Sequence, residues 1–315
     1  MFATSEPPST PQDSEFFASP AVVGDLVLAG AGSGTMYGFY AADGAVAWRF
    51  QTGTVVQGTR PGSGRAPITS SVVVTSDGAA GFVGGWDGRV YCFDPLSGKI
   101  AWQYQVLDND TNTAAQIRAT PALSRDGALV FFPAGRALYA VGAATGDLRW
   151  AVQTAQVVYT SPTVAGDGIV IFGGSGGGMA TAVSPAGKVV WSLNLTEIGS
   201  TMGAVTADGA HVLLIGSPSP VGGQQLLRIE VASGKIVQAM GGVGGWQVSA
   251  AAISVDAGGT AFVPVNHGFF MISPHGNATF CGVGDGRFAS VGAITIPMDG
   301  VVLIPGIIGG LRAMV

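Results

Sequence analysis

Aspartates in turn contexts recur at Asp25, Asp77, Asp126, Asp167, Asp208, Asp256 and Asp299, with spacings of 52, 49, 41, 41, 48 and 43 residues. A period of roughly 40 to 50 residues marks a repeat architecture, in which each unit is one supersecondary element that buries its apolar face against its neighbours. Gly follows Asp77, Asp126, Asp167, Asp208 and Asp299 directly. Asp-Gly between two apolar runs is a strong hairpin signal, because Gly tolerates positive φ. Before each turn lies a short strand, as in SSVVVTSD and TPALSRD, and after it a more apolar one, as in ALVFFPAG and IVIFGG. A third strand follows in every unit, from TMYGFY in the first to LRAMV in the last.

A second turn glycine fixes the fourth strand, at Gly44, Gly98, Gly146, Gly187, Gly234 and Gly276. Four residues beyond these stand Trp48, Trp102, Trp150, Trp191, Gln238 and Phe280. A large aromatic that buries ~150 to 250 Å² at one fixed place per unit is expected to lock each sheet onto the next. The pattern predicts an all-β fold, a β-propeller of about seven four-stranded antiparallel blades. The seventh unit stops at Val315, after its third strand. Two readings follow: residues 1–16 are a flexible N-terminal segment that supplies the closing strand, which is favoured, or the chain is a piece of a larger ring; 17–315 is expected to be a single propeller domain.

Two segments, RVYCFDPLSGKIAW (Arg89 to Trp102) and ALYAVGAATGDLRW (Ala137 to Trp150), follow G-x-V-Y-A-x-D-x-x-T-G-x-x-x-W closely. They resemble the PQQ-like repeat of quinoprotein dehydrogenases and their non-enzymatic relatives, and the resemblance spans roughly residues 17 to 315. Tryptophan-aspartate and kelch propellers fit less well: Trp86-Asp87 precedes a third strand instead of ending a unit, and neither class explains a Trp four residues past a turn glycine. Quinoprotein dehydrogenases hold pyrroloquinoline quinone with calcium, use an Asp base with Glu and Asn ligands, and often carry a disulfide between adjacent cysteines. Cys92 and Cys281 are not adjacent, and none of the five Asn matches the ligand motif. The resemblance thus implies the fold without the active site. No cofactor is predicted; the quinone with calcium belongs only to the alternative, a divergent quinoprotein oxidoreductase. Envelope-assembly lipoproteins share the repeat and bind extended peptides. That role implies an export signal and a lipid-anchored cysteine, and it ranks third.

Charged residues make up 10% of the chain and Gly supplies 51 of 315 positions, a composition of short buried strands and tight turns. Gly, Ser and Asp interrupt every apolar run, so no membrane span is expected. Net charge is −5 and the 14 Lys and Arg are scattered, which argues against nucleic acid as a partner. The three His lie in different units, and GGSGGGMA lacks the Lys and the helix of a phosphate loop. The N-terminus as given has neither a basic nor an apolar signal region, so cytoplasm is the default compartment. Asn109, Asn194 and Asn277 sit in N-x-[ST] sequons, which point instead to secretion.

What remains is a face. Loops joining second to third strands and those joining successive units emerge on one side of such a fold. They carry Trp86, Asp87, Arg118, Arg136, Trp246, His267, Asp285 and Arg287. Trp86 and Trp246 break the docking register, each after Gly-Gly, and aromatics with Arg nearby are the stuff of interface hot spots. The longest insertions, 51–68 and 106–118, lie on the same side, with Asp108 in the second. The expected function is a non-catalytic scaffold that binds a protein, a peptide or a small molecule at this top face.

Overall fold

The computed structural model describes residues 15–54, 65–108, 114–173, 178–195, 197–198, 203–217, 225–240, 252–256, 258–265, 268–275, 277–282, 295–298, 301–306 and 310–314. Every regular element among the described residues is a strand, as the repeat predicts. Two compact units divide the chain, Met1–Tyr159 and Thr160–Val315.

The first unit holds three four-stranded antiparallel meanders. Sheet 1 comprises β1 (Ala21–Val23), β2 (Leu26–Gly30), β3 (Thr35–Tyr40) and β4 (Val46–Gln51). Sheet 2 comprises β5 (Val73–Val74), β6 (Gly81–Gly84), β7 (Arg89–Phe93) and β8 (Ile100–Gln105). Sheet 3 comprises β9 (Ala122–Leu123), β10 (Leu129–Ala134), β11 (Ala137–Gly142) and β12 (Leu148–Gln153). The second unit holds four further sheets, over 163–194, 197–240, 254–282 and 295–314. The last has three strands among the described residues, and the 197–240 sheet has five, because Glu197–Ile198 and Ala204–Val205 both pair with His211–Ser217. Of residues 1–16, to which the closing strand was assigned, 1–14 lie outside the described set. Glu15 and Phe16 rest on sheet 1: Gly32 N–H donates to Glu15 O at 2.8 Å, and the Phe16 ring meets Tyr37 and Phe39 edge-on at 6.2 Å.

The turn chemistry follows the sequence in the second to fifth sheets, while in the first sheet the positive-φ residue is Gly24, directly before Asp25. Gly78, Gly127, Gly168 and Gly209 all have positive φ directly after their aspartates. At the sixth turn Gly259 takes that conformation, while Asp256 stands three residues earlier and accepts the Thr260 N–H at 2.7 Å. Neighbouring hydroxyls complete the turns, as where Ser124 Oγ donates to Asp126 Oδ1 at 2.6 Å. Such donors, ahead of any other cause, hold the Asp77, Asp94, Asp126 and Asp208 carboxyls below the usual range.

The docking tryptophans do what their register implies. Trp48, Trp102 and Trp191 donate their indole N–H to the carbonyls of Pro95, Ala143 and Val231 in the next sheet, at 3.0, 2.9 and 2.7 Å. Each carbonyl lies three residues before a turn glycine, and the indole lies over that glycine. In the first five sheets a β-bulge falls between the third and fourth strands just where the Trp is aimed, as at Gly38/Phe39 and Cys92/Phe93. The bulge persists at Arg228/Ile229, where Gln238 replaces the Trp, and no register shift occurs opposite Phe280.

Cys92 sits inside sheet 2, and burial pushes its thiol up to about 11. At pH 8 only about one part in a thousand of such a thiol is thiolate. Cys281 is half-buried. Ellman's reagent is expected to titrate Cys281 in the native protein and to reach Cys92 only after denaturation; equal rates for both would overturn this placement.

Candidate functional site

A four-stranded meander sends its two hairpin turns to one end and, to the other, both its second-to-third loop and its connections to neighbouring sheets. The latter is the upper end. In the first unit the described residues place Trp86, Asp87, Arg118 and Arg136 there, together with Tyr159, which sequence inspection did not single out. Trp246, His267, Asp285 and Arg287 lie outside the described residues.

Main-chain bonds bring three of these together. Ile117 N–H donates to Gly85 O at 3.1 Å, which sets Arg118 beside Trp86. Val158 N–H donates to Gly135 O at 2.9 Å and positions Tyr159 on the next connection. The close approach at Ile117 needs Gly84, since a Cβ there would come within 3.1 Å of Ile117 Cβ. Of the Gly-Gly before Trp86, Gly84 is thus explained by packing between neighbouring sheets, and Gly85 by the Asp87 carboxylate, whose Oδ1 would lie 2.5 Å from a Cβ there.

Trp86 is half-buried and pinned: its N–H donates to Pro67 O at 3.1 Å and its indole N–H to Thr69 Oγ1 at 2.9 Å. Over this ring lies the Arg118 guanidinium, 4.2 Å from the ring centroid, and Tyr159 stands 5.4 Å from the same guanidinium. Both distances fall within the range where a ring quadrupole attracts a cation. Gln116 Oε1 accepts from Arg118 Nε at 3.0 Å and from Nη2 at 2.6 Å. Arg118 remains exposed, and Tyr159 is 40% exposed.

Asp87 has a different place from its neighbour. It is 2% exposed, and its carboxylate accepts from Gly53 N–H at 2.8 Å, from the Tyr91 hydroxyl, from Arg89 N–H at 3.2 Å and from Arg89 Nη1 at 3.4 Å. Burial, and then the bond to Asp87, hold the Tyr91 phenol well above its ordinary range. Asp87 ties the second-to-third loop to the base of the 51–68 insertion from beneath the surface. Bridges at Thr54↔Arg65 and Leu107↔Ala114 pair the two strands of each long insertion near its base.

Arg136 borders a cavity of about 250 Å³ between the insertion residues Leu107, Asp108 and Ala115 and the sheet-3 residues Gly135 and Gln153. Tyr139 lines it too, its phenol raised by burial first and then by Tyr104 and Asp108. The cavity adjoins the aromatic cluster through Ala115 on one side and Gly135 on the other. Among the described residues no three His, Cys, Asp or Glu side chains gather. Among the described residues the short first strands carry Ala, Val, Leu, Thr and Ser, as in Ala122–Leu123 and Thr163–Val164. No described helix is long and apolar enough to cross a membrane.

Seven antiparallel sheets among the described residues, with docking by Trp48 and Trp102 in the first unit and by Trp191 in the second, place the protein among β-propellers built from PQQ-like repeats. The chain belongs to the family described as outer membrane protein assembly factor BamB, whose model matches residues 9–171 and again 118–237. Among solved structures, BamB from Moraxella catarrhalis is similar: 14% identical, with 95% of this chain and 82% of that one covered at a TM-score of 0.66. Identity at that level speaks to the fold. No curated protein matches the sequence.

Proposed function

We propose that the protein is a non-catalytic scaffold that binds a partner protein through the upper end of its first unit. The observation that carries this is the Trp86, Arg118 and Tyr159 cluster, three large side chains from one second-to-third loop and the two connections that follow it, converging on one exposed spot. Tyr, Trp and Arg are the residues in which interface energy concentrates, because they combine large area with few degrees of freedom and a polar handle. Each member is held before any partner arrives, which lowers the ordering cost of association. Membership of a family described as an assembly factor supports the same reading.

Two exposed leucines provide a matched test, Leu107 at the upper end (47% exposed) and Leu96 in a lower-end turn (59% exposed). With a photo-reactive residue at each in turn, the Leu107 position should cross-link one discrete partner in the cells that make the protein, and the Leu96 position should not. Adding Trp86→Ala and Arg118→Ala should lower the Leu107 yield by at least about thirtyfold, the weight of a hot spot of ~2 kcal/mol. Equal capture at both ends, or full yield from the double variant, would sink the assignment.

A further inference from the structure

Arg118 is an exposed arginine already held still. A guanidinium presents five N–H donors in a rigid fork. Gln116 Oε1 engages Nε and Nη2, and the rings of Trp86 and Tyr159 take the cation's face. Three donors remain, and among the described residues no carboxylate is hydrogen-bonded or ion-paired to them. A surface arginine ordinarily loses rotamer entropy when a ligand immobilises it. Here folding has fixed the side chain in advance, and the remaining edge of the fork is matched to a carboxylate.

The charges of the first unit are segregated in the same sense. The lower-end turns carry Asp25, Asp43, Asp77, Asp94, Asp126 and Asp147, all exposed, against Lys99, Arg125 and Arg149. Among the described residues the upper end carries Arg65, Arg89, Arg118 and Arg136 against Glu15, Asp87 and Asp108. Asp87 is buried and paired with Arg89, which leaves the exposed surface cationic although the whole chain bears −5. The excess is small and lies beside Asp108, a setting for one carboxylate among neutral groups and not for a polyanion. Thr69, Arg118 and Tyr159 also share one register position, each opening the approach to a first strand, so the site extends as a row across successive connections.

We infer that the upper end of the first unit recognises an extended acidic peptide segment, with an Asp or Glu side chain seated on Arg118 and a flanking apolar side chain against Trp86 and Tyr159. The inference rests on the protein-binding reading above and adds the chemistry of the partner. Arg118 is then the residue that sets specificity. Trp86 and Tyr159 supply contact area and keep the fork aligned.

The test uses the full chain and two end-blocked peptides, acetyl-Gly-Ser-Leu-Glu-Leu-Ser-Gly-amide and the same sequence with Gln in place of Glu. Binding to every variant is measured by isothermal titration calorimetry, and in the unaltered protein it is located by NMR at the Arg118 Nε–H signal, assigned by its loss in Arg118→Lys. The Glu peptide should bind at least about tenfold more tightly than the Gln peptide, the increment of one charge-assisted pair. In Arg118→Gln the two should bind alike, and Arg118→Lys should recover only part of the preference, since it keeps the charge without the fork. Equal binding of the two peptides to the unaltered protein, or no response to either, overturns the inference. If the Leu107 cross-link survives such a result, the docking face stands and only the carboxylate chemistry falls. Loss of the cross-link with retained Glu preference would instead leave an acidic-ligand site without a protein partner. Tighter binding of a single-stranded oligonucleotide than of the Glu peptide would overturn it in favour of phosphate.

Discussion

Gly98→Ala should destabilise the first unit by about 3 kcal/mol, whereas Gly127→Ala should cost only about 1 kcal/mol. The two glycines share a φ of +69°, so the penalty for giving an L side chain that conformation is common to both. They differ in what the new methyl meets. At Gly127 nothing lies within 4 Å, while at Gly98 the methyl would sit 2.6 Å from Trp48 Cδ2. The indole cannot retreat without losing its bond to Pro95 O, and on its other side it is wedged against its cross-strand partner Gly38 in β3, 2.5 Å from a Cβ there. Trp48→Ala by itself should cost ~3 to 5 kcal/mol as a buried aromatic truncation. In that background the further cost of Gly98→Ala should fall to the Gly127→Ala value, because the clash is gone. Urea denaturation of the four variants against the unaltered chain measures all of this. Equal penalties at Gly98 and Gly127 would show that the docking glycine is chosen for its turn alone.

That pairing of glycine and tryptophan explains why so much of the fold was legible. Turn chemistry is local, and a docking residue repeated in register announces a contact between units without revealing any distance. The same logic failed where the repeat substitutes one device for another. The sixth turn keeps its positive φ at Gly259 but moves the acid to Asp256, so counting aspartates misplaced it by two residues. Nor did the sequence distinguish Trp86 from Asp87. Both stand in one loop, and only the three-dimensional path of Gly53, Tyr91 and Arg89 draws the carboxylate inward while the indole meets Arg118. Tyr159 was missed because its partner lies 41 positions away on another connection and shares with it no motif, only a register.

Asp87→Ala should cost about 3 to 5 kcal/mol in stability, making it the most damaging single change at the upper end. Its side chain is 1% exposed, and its removal strips an acceptor from the Arg89 guanidinium, the Tyr91 hydroxyl and the Gly53 N–H, the last of which keeps the Tyr91 oxygen at 3.0 Å. A buried donor left unmatched costs the full desolvation penalty of that group, which exceeds what the bond contributes when made. Asp87→Asn keeps the shape and one acceptor, so about 1 to 2 kcal/mol is expected there. Tyr91→Phe removes one of the stranded donors, and the double variant Asp87→Ala/Tyr91→Phe should therefore be more stable than the two separate costs imply. These changes separate the two roles that one loop contains. Trp86→Ala and Arg118→Ala remove exposed or half-exposed contacts and should weaken partner capture while leaving the unfolding midpoint nearly in place. Asp87→Ala should lower the midpoint sharply and affect capture only through the fraction unfolded. If Asp87→Ala instead left stability within about 0.5 kcal/mol of the unaltered protein and abolished capture, the carboxylate would be a contact residue. The network around it would then be an accessory to binding.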